Sequence, residues 1–276
     1  MELGLALIND KNEIELKKVL NHLSELALKY VEEGQEEDTN RLVEYMKEIG
    51  KAAAKAGIEL AVINTLMLFS PVARRAYAKQ MENALVNIAL AIGEIGKTAA
   101  EQKLEASARI AASCLGEMGN TATFTKTRKH TIAVIYALGE IGKSVTQQNL
   151  GDVANKTAAF LGETGKTAAD QNFEDATLNA ELFLQEIGVN AIEKNMADAA
   201  STSIRSLQDI RKTADKRGIE KPLLQAAYSL ETIRFDAEDR CFMSASILAE
   251  VALLEYESLE SREPEDKRDK NRGKKR

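Results

Sequence analysis

One short phrase recurs with a fixed period of 23 through the middle of this chain. It reads Ile92-Gly93-Glu94-Ile95-Gly96-Lys97-Thr98-Ala99, then Leu115-Gly116-Glu117-Met118-Gly119-Asn120-Thr121-Ala122. It returns as Leu138-Gly139-Glu140-Ile141-Gly142-Lys143-Ser144-Val145 and as Leu161-Gly162-Glu163-Thr164-Gly165-Lys166-Thr167-Ala168. A constant period of this length marks a repeat array, in which each unit hides its apolar face only by stacking on its neighbours. Steps of 23 from Gly96 reach Gly119, Gly142, Gly165 and Gly188, then Arg211 and Arg234, and backward Ala73, Gly50, Ala27 and Gly4. The frame therefore holds without insertion from near residue 4 to about Glu257.

The columns of the frame specify helix. Four residues before each anchor stand Leu23, Met46, Phe69, Ile92, Leu115, Leu138, Leu161, Leu184, Leu207, Leu230 and Leu253. Directly before it stand Leu26, Ile49, Val72, Ile95, Met118, Ile141, Ile187, Ile210, Ile233 and Tyr256, with Thr164 the weak member. Further apolar or small columns lie eight, eleven and fifteen residues before the anchor, and spacings of three and four describe one face of an α-helix. Only three prolines and no tryptophan occur. The many Ala, Leu, Glu and Lys residues lose little entropy on becoming helical.

The anchor glycine is expected to end a helix, because glycine takes the left-handed conformation without steric cost. Thr98, Thr121, Ser144, Thr167, Asn190, Thr213 and Asp236 would then cap the next helix, helped by Glu101, Gln147, Asp170, Glu193 and Asp239. A second Gly/Asn position, at Gly34, Gly57, Asn149, Asn172, Asn195 and Gly218, marks either a kink or the end of a short helix such as Ala99–Gln102. Pro222 suits the first turn of a helix. Gly93, Gly116, Gly139 and Gly162 are expected to let neighbouring helices approach, with the column Ala53, Ala76, Ala99, Ala122, Ala168, Ala191, Ala214 and Ala237. That glycine is lost at Gln185, Gln208 and Glu231, so the later units should pack differently.

Period, helical phasing and the joint Leu138-Gly139-Glu140-Ile141-Gly142-Lys143 resemble the HEAT and armadillo class of α-solenoids over roughly residues 10 to 258. The resemblance implies an all-α, right-handed superhelix of about eleven stacked helices, paired in 46-residue units. Residues 1–260 form this domain, and 261–276 are expected to be a disordered charged tail. The uniformity of successive helices leaves open a coil that closes once per repeat of the phrase.

Charge and chemistry narrow the function. The formal net charge is −6, although Ser261 to Arg276 carry eight Lys/Arg against four Asp/Glu, so the body stands at −10. An acidic body disfavours phosphate backbones, and no nucleic-acid partner is expected. The apolar run Leu60 to Ala73 is too short to span a membrane and reads as core. Cys114 and Cys241 lack disulfide or metal spacing and point to a reducing, cytoplasmic setting.

The acidic column Glu25, Glu48, Glu94, Glu117, Glu140, Glu163, Glu186, Asp209 and Glu255 reads as structural, receiving amides at helix starts or pairing with Lys51, Lys97, Lys143, Lys166 and Lys212. Gly96-Lys97-Thr98, Gly142-Lys143-Ser144 and Gly165-Lys166-Thr167 imitate a phosphate loop, but Ala91, Ala137 and Phe160 stand where its first glycine belongs. They read as helix joints. No cofactor, catalytic residue or metal ligand is assigned. The expected role is a non-catalytic scaffold holding a protein or peptide on a concave surface. The alternative is an enzyme or metal-binding protein with its site in the groove, where His130 is the first candidate because its column elsewhere holds Ala84, Val153, Ala176 and Ala199.

Overall fold

The computed structural model describes residues 2–10, 12–125 and 127–260 of the chain. The expected tail, residues 261–276, lies outside the described residues, as does the side chain of Tyr256. Twelve α-helices and no strand are found among the described residues. They are α1 (Glu2–Asn9), α2 (Glu13–Glu32), α3 (Glu36–Lys55), α4 (Glu59–Ala78), α5 (Glu82–Glu101) and α6 (Glu105–Thr125). Then follow α7 (Arg128–Gln147), α8 (Gly151–Asp170), α9 (Glu174–Glu193), α10 (Ala197–Arg217), α11 (Glu220–Asp239) and α12 (Met243–Glu260). The first helix, α1, has 8 residues, less than half the length of the others. From α3 onward each helix begins one full period after the last.

The helix joint is not where the anchor glycines suggested. Gly96, Gly142 and Gly165 lie well inside α5, α7 and α8, and the chain turns only at the second Gly/Asn position. There the backbone is left-handed, with φ of 72° at Gly57 and 61° at Asn149. The Gly57 N–H donates to the Ala54 carbonyl at 3.0 Å and the Ile58 N–H to the Ala53 carbonyl at 3.0 Å. These are the two bonds that satisfy the last carbonyls of a helix closed by a left-handed residue. The same pair recurs at most other joints, and in six of them, as at Ala53, the deeper acceptor is a member of the alanine column: Ala76, Ala99, Ala168, Ala191, Ala214 and Ala237.

The expected capping residues consequently lie inside the C-terminal turn of the preceding helix, where Thr98 and Thr213 return their hydroxyls to the Glu94 and Asp209 carbonyls four residues back. Leu150, Phe173, Met196 and their equivalents instead both close one helix and open the next, without a side-chain cap. Pro222 does sit in the first turn of α11.

A short turn reverses the chain at each joint, so successive helices run antiparallel. Each packs on the next in sequence and on the one after. Two layers result: α1, α3, α5, α7, α9 and α11 form the odd layer, and α2, α4, α6, α8, α10 and α12 the even one. The structural unit is thus a 46-residue antiparallel pair rather than a coil that closes once per phrase. A continuous core of residues such as Leu20, Ile49, Phe69, Ile88, Leu115, Leu138, Leu161 and Leu207, each 0% exposed, fills the space between the layers.

The anchor glycines serve contact within a layer. A Cβ built on Gly50 would stand 2.6 Å from Ile95 Cδ1, and one on Gly96 the same distance from Ile141 Cδ1. The residue before one anchor therefore fills the notch at the anchor two helices earlier. The neighbouring glycine column has two uses. Gly93 meets Ala137, with a would-be Cβ 3.0 Å from the Ala137 Cα, and lets α5 and α7 pack closely, whereas Gly116 and Gly139 house the rings of Phe160 and Phe183. Where Gln208 and Arg211 replace both glycines, α10 and α12 form a looser pair than α8 and α10.

Candidate interaction surface

The outward faces of the two layers differ in kind. In the odd layer the same register position carries Leu90, Tyr136, Leu182 and Tyr228. Leu90 is half-buried, while Tyr136, Leu182 and Tyr228 are 53%, 50% and 62% exposed. One turn earlier stand Val86, Ile132, Leu178 and Leu224, the first three half-buried and the last exposed. The corresponding row of the even layer reads Asn21, Met67, Ser113, Ala159, Arg205 and Val251. An apolar band thus crosses α5, α7, α9 and α11, perpendicular to the helices, and stops at α3, which carries Glu44 and Asn40 at these positions.

The band has a notch. Between α5 and α7, where Gly93 faces Ala137, a pocket of about 310 Å³ is lined by Leu90, Gly93, Glu94, Lys97, Tyr136, Ala137 and Glu140. Further along, the Tyr136 and Phe183 rings meet edge to face at 6.0 Å, and the Lys143 ammonium lies 5.0 Å from the Phe183 centroid.

Charges border the band on its other side. The carboxylate column joins adjacent helices of a layer: Lys51 to Glu94, Lys97 to Glu140 and Lys143 to Glu186, each at 2.7 Å. Pairing within a helix, the arrangement expected from sequence, is secondary, as in Lys51–Glu48 at 3.3 Å and Lys143–Glu140 at 3.8 Å. Lys143 is accordingly half-buried rather than exposed. Burial pushes the Glu94 carboxyl pKa upward, but hydrogen bonds and attraction from Lys51 and Lys47 together outweigh it and lower the pKa overall. Amides at helix starts are met by other carboxylates, because parallel neighbours bring their N-termini side by side: Glu36 accepts from the Ala84 N–H at 3.0 Å and Glu59 from the Ser107 N–H at 3.3 Å. Partial positive charge at a helix N-terminus favours both contacts.

The candidate residues for chemistry are dispersed. His130, at 0% exposure, lies beneath Tyr77, whose hydroxyl is 3.0 Å from Nε2 and 2.9 Å from the Met118 carbonyl oxygen. A carbonyl only accepts, so the Tyr77 hydroxyl donates to Met118 and the neutral imidazole donates its Nε2–H to Tyr77. Burial lowers the His130 pKa to about 4 and raises that of Tyr77 beyond its usual range. Cys114 borders a pocket of about 170 Å³ between α4 and α6, with Arg74, Glu117 and Thr121, but burial pushes its thiol up to about 11. Cys241 is exposed at the left-handed position of the last joint. No group of three or more His, Cys, Asp or Glu residues able to hold a metal occurs among the described residues.

Sequence reasoning missed Glu181, which is 0% exposed in α9 with neither carboxylate oxygen hydrogen-bonded. Burial pushes its pKa up to about 9. The signal was available: in the repeat frame its column holds Leu20, Val43, Leu66, Ala89, Ala112, Ile135, Ala158, Ile204 and Ala227, with a second acidic residue only at the exposed Glu250 of α12.

Comparison with solved structures gives a match to a protein described as a circular tandem repeat protein with novel repeat topology and enhanced subunit contact surfaces. The TM-score is 0.58 at 13% identity, over 92% of this chain and 68% of that one. The chain is a helical tandem repeat. At this identity the likeness is one of fold alone. No protein-family model matches the sequence, and no curated protein matches it. Among the described residues, no helix is long and apolar enough to cross a membrane.

Proposed function

We propose that this helical repeat is a non-catalytic scaffold of the HEAT and armadillo kind, which binds a protein or peptide along the outward face of its odd layer. The observation that carries this reading is the row Leu90, Tyr136, Leu182 and Tyr228, unbroken by a charged residue from α5 to α11, where the corresponding even-layer row alternates polar and apolar residues. Water-exposed apolar area arranged as a continuous band favours association. The notch between Gly93 and Ala137 is sized for one apolar side chain of the partner, and helices of a layer spaced by about 8–10 Å would seat further side chains at that pitch.

The Lys–Glu ladder beside the band is internally neutralised, so recognition is by apolar contact rather than charge. Binding should therefore survive moderate salt, unlike the steep loss expected of a phosphate-binding protein. The reading carries with it no cofactor and no nucleic-acid partner. A cytoplasmic setting accords with the free thiols Cys114 and Cys241.

Selection from a random peptide-display library tests the proposal. Peptides with regularly spaced apolar residues should be enriched on the native chain and lost on a Tyr136→Ser/Leu182→Ser variant. Enrichment that ignores the variant, or none at all, contradicts it.

A further inference from the structure

The even layer holds a pocket of about 170 Å³ between α4 and α6, at the register of the odd-layer notch one period later in the chain. Two substitutions in the repeat frame open it. Where Gly93 faces Ala137 in the odd layer, the even layer carries Ser70 and Cys114, both half-buried in the pocket wall. A hydroxymethyl and a thiomethyl group replace a hydrogen and a methyl, and α4 and α6 pack more loosely than α5 and α7. The floor is apolar, made by Phe69, Ala73, Ile92 and Met118. Tyr77 walls it, with its hydroxyl already committed to Met118 and His130.

The rim carries one charge of each sign. Arg74 and Glu117 stand where Lys97 and Glu140 close a rung of the odd-layer ladder at 2.7 Å. Both are exposed, and among the described residues neither side chain has an ion-pair partner. Arg74 also lacks a carboxylate one turn back in its own helix, because Pro71 interrupts the acidic column there. An open rung is not by itself a site. Lys166 and Asp209 are unpaired too, but beside them the Gly162 notch receives Ser206, and α8 and α10 pack closely. At Arg74 and Glu117 the open rung borders a pocket that reaches the core.

We propose that this pocket binds a free aliphatic α-amino acid of about leucine size. The carboxylate of the ligand takes the paired N–H groups of the Arg74 guanidinium, its ammonium donates to the Glu117 carboxylate, and its side chain enters between α4 and α6. An apolar cavity of about 150 Å³ accepts a benzene ring, so this one has room for an isobutyl group. A simple carboxylate would bring its charge up to Glu117, and a simple amine would bring its charge up to Arg74. A zwitterion satisfies both and closes the rung through itself. The site lies in the even layer, apart from the odd-layer band, so neither reading depends on the other.

Equilibrium dialysis of radiolabelled L-leucine against the full chain tests this. One equivalent should bind saturably. Unlabelled 4-methylpentanoate, which lacks the ammonium, leucinamide, which lacks the carboxylate, and glycine, which leaves the pocket empty, should each compete at least tenfold less well than leucine. Arg74→Gln and Glu117→Gln should each weaken binding at least tenfold with unchanged helical circular dichroism, whereas Arg75→Gln, a change to the neighbouring arginine paired with Glu32, should leave it as it is. No saturable binding, equal competition by any of the three analogues, or an affinity that ignores the Arg74 and Glu117 variants would each overturn the proposal.

Discussion

Ile141 of α7 fills the notch that Gly96 leaves in α5, the helix two earlier in the chain, and this contact ties together alternate helices within one layer. A methyl at position 96 would meet both Ile141 Cδ1 and Ala111 Cβ at 2.6 Å. Alanine favours helix over glycine by about 1 kcal/mol, but overpacking of this kind costs roughly 1–3 kcal/mol. Gly96→Ala should therefore lower stability in denaturant titration despite its better helix propensity. A stabilised variant would show that the notch is not filled as described.

At the joints the balance reverses. Lys103 adopts φ of 58° where most other joints place glycine or asparagine, and a left-handed non-glycine residue costs about 1–2 kcal/mol. Lys103→Gly should raise the unfolding midpoint by an amount equivalent to about 1 kcal/mol, part of the gain being offset by unfolded-state entropy.

His130 ties stability to acid. Its folded pKa, about 4, lies below the ordinary 6.5, so between those values the unfolded chain binds a proton that the folded one refuses. Stability should fall as pH drops from about 6.5 to 4, by up to about 1.4 kcal/mol per pH unit. Tyr77→Phe should cost about 1–3 kcal/mol at neutral pH, since the imidazole N–H and the Met118 carbonyl both lose their partner. Chemical denaturation across this pH range reads both effects.

Glu181 acts at the other end of the scale. Its folded pKa of about 9 exceeds the ordinary 4.5, so the folded chain holds a proton that the unfolded one has released. Its contribution is greatest below about pH 4.5 and declines as pH rises toward 9. Glu181→Leu, which matches the apolar residues of its column, should stabilise the protein at pH 8 and flatten its alkaline pH profile. No change in either would mean that the carboxyl is hydrated or paired.

Leu138, at 0% exposure, and Lys143, half-buried over Phe183, separate core from ladder. Leu138→Ala should cost roughly 2–5 kcal/mol. Lys143→Ala should cost about 1 kcal/mol or less, because its ion pair is partly solvated. Thermal melts showing equal losses would contradict the assigned faces.

The period, the helical class and the core columns were legible from sequence because Leu138 and its equivalents recur at constant phase. The joint was not, because Gly96 and Gly57 look alike as letters while one relieves a contact between helices and the other a backbone angle. Left-handed Gln80, Lys103 and Cys241 concealed the true turn further. That the acidic column pairs with lysines was legible, but its partners on the next helix of the layer depend on which helices run parallel. The apolar row of the odd layer was invisible for the same reason: Leu90, Tyr136, Leu182 and Tyr228 occupy alternate units, and only pairing into layers aligns them.

The account rests on alternate helices lying side by side and parallel, with that row running across them. Spin labels in a cysteine-free background, one pair at Leu90→Cys and Leu182→Cys and another at Leu90→Cys and Tyr228→Cys, measure this by electron–electron resonance. With a spacing of about 8–10 Å between packed helices, the two separations should be roughly 20 and 30 Å, increasing with each further pair. Equal separations, or a shorter distance for the more distant pair, would contradict the layered stack and the binding face built on it.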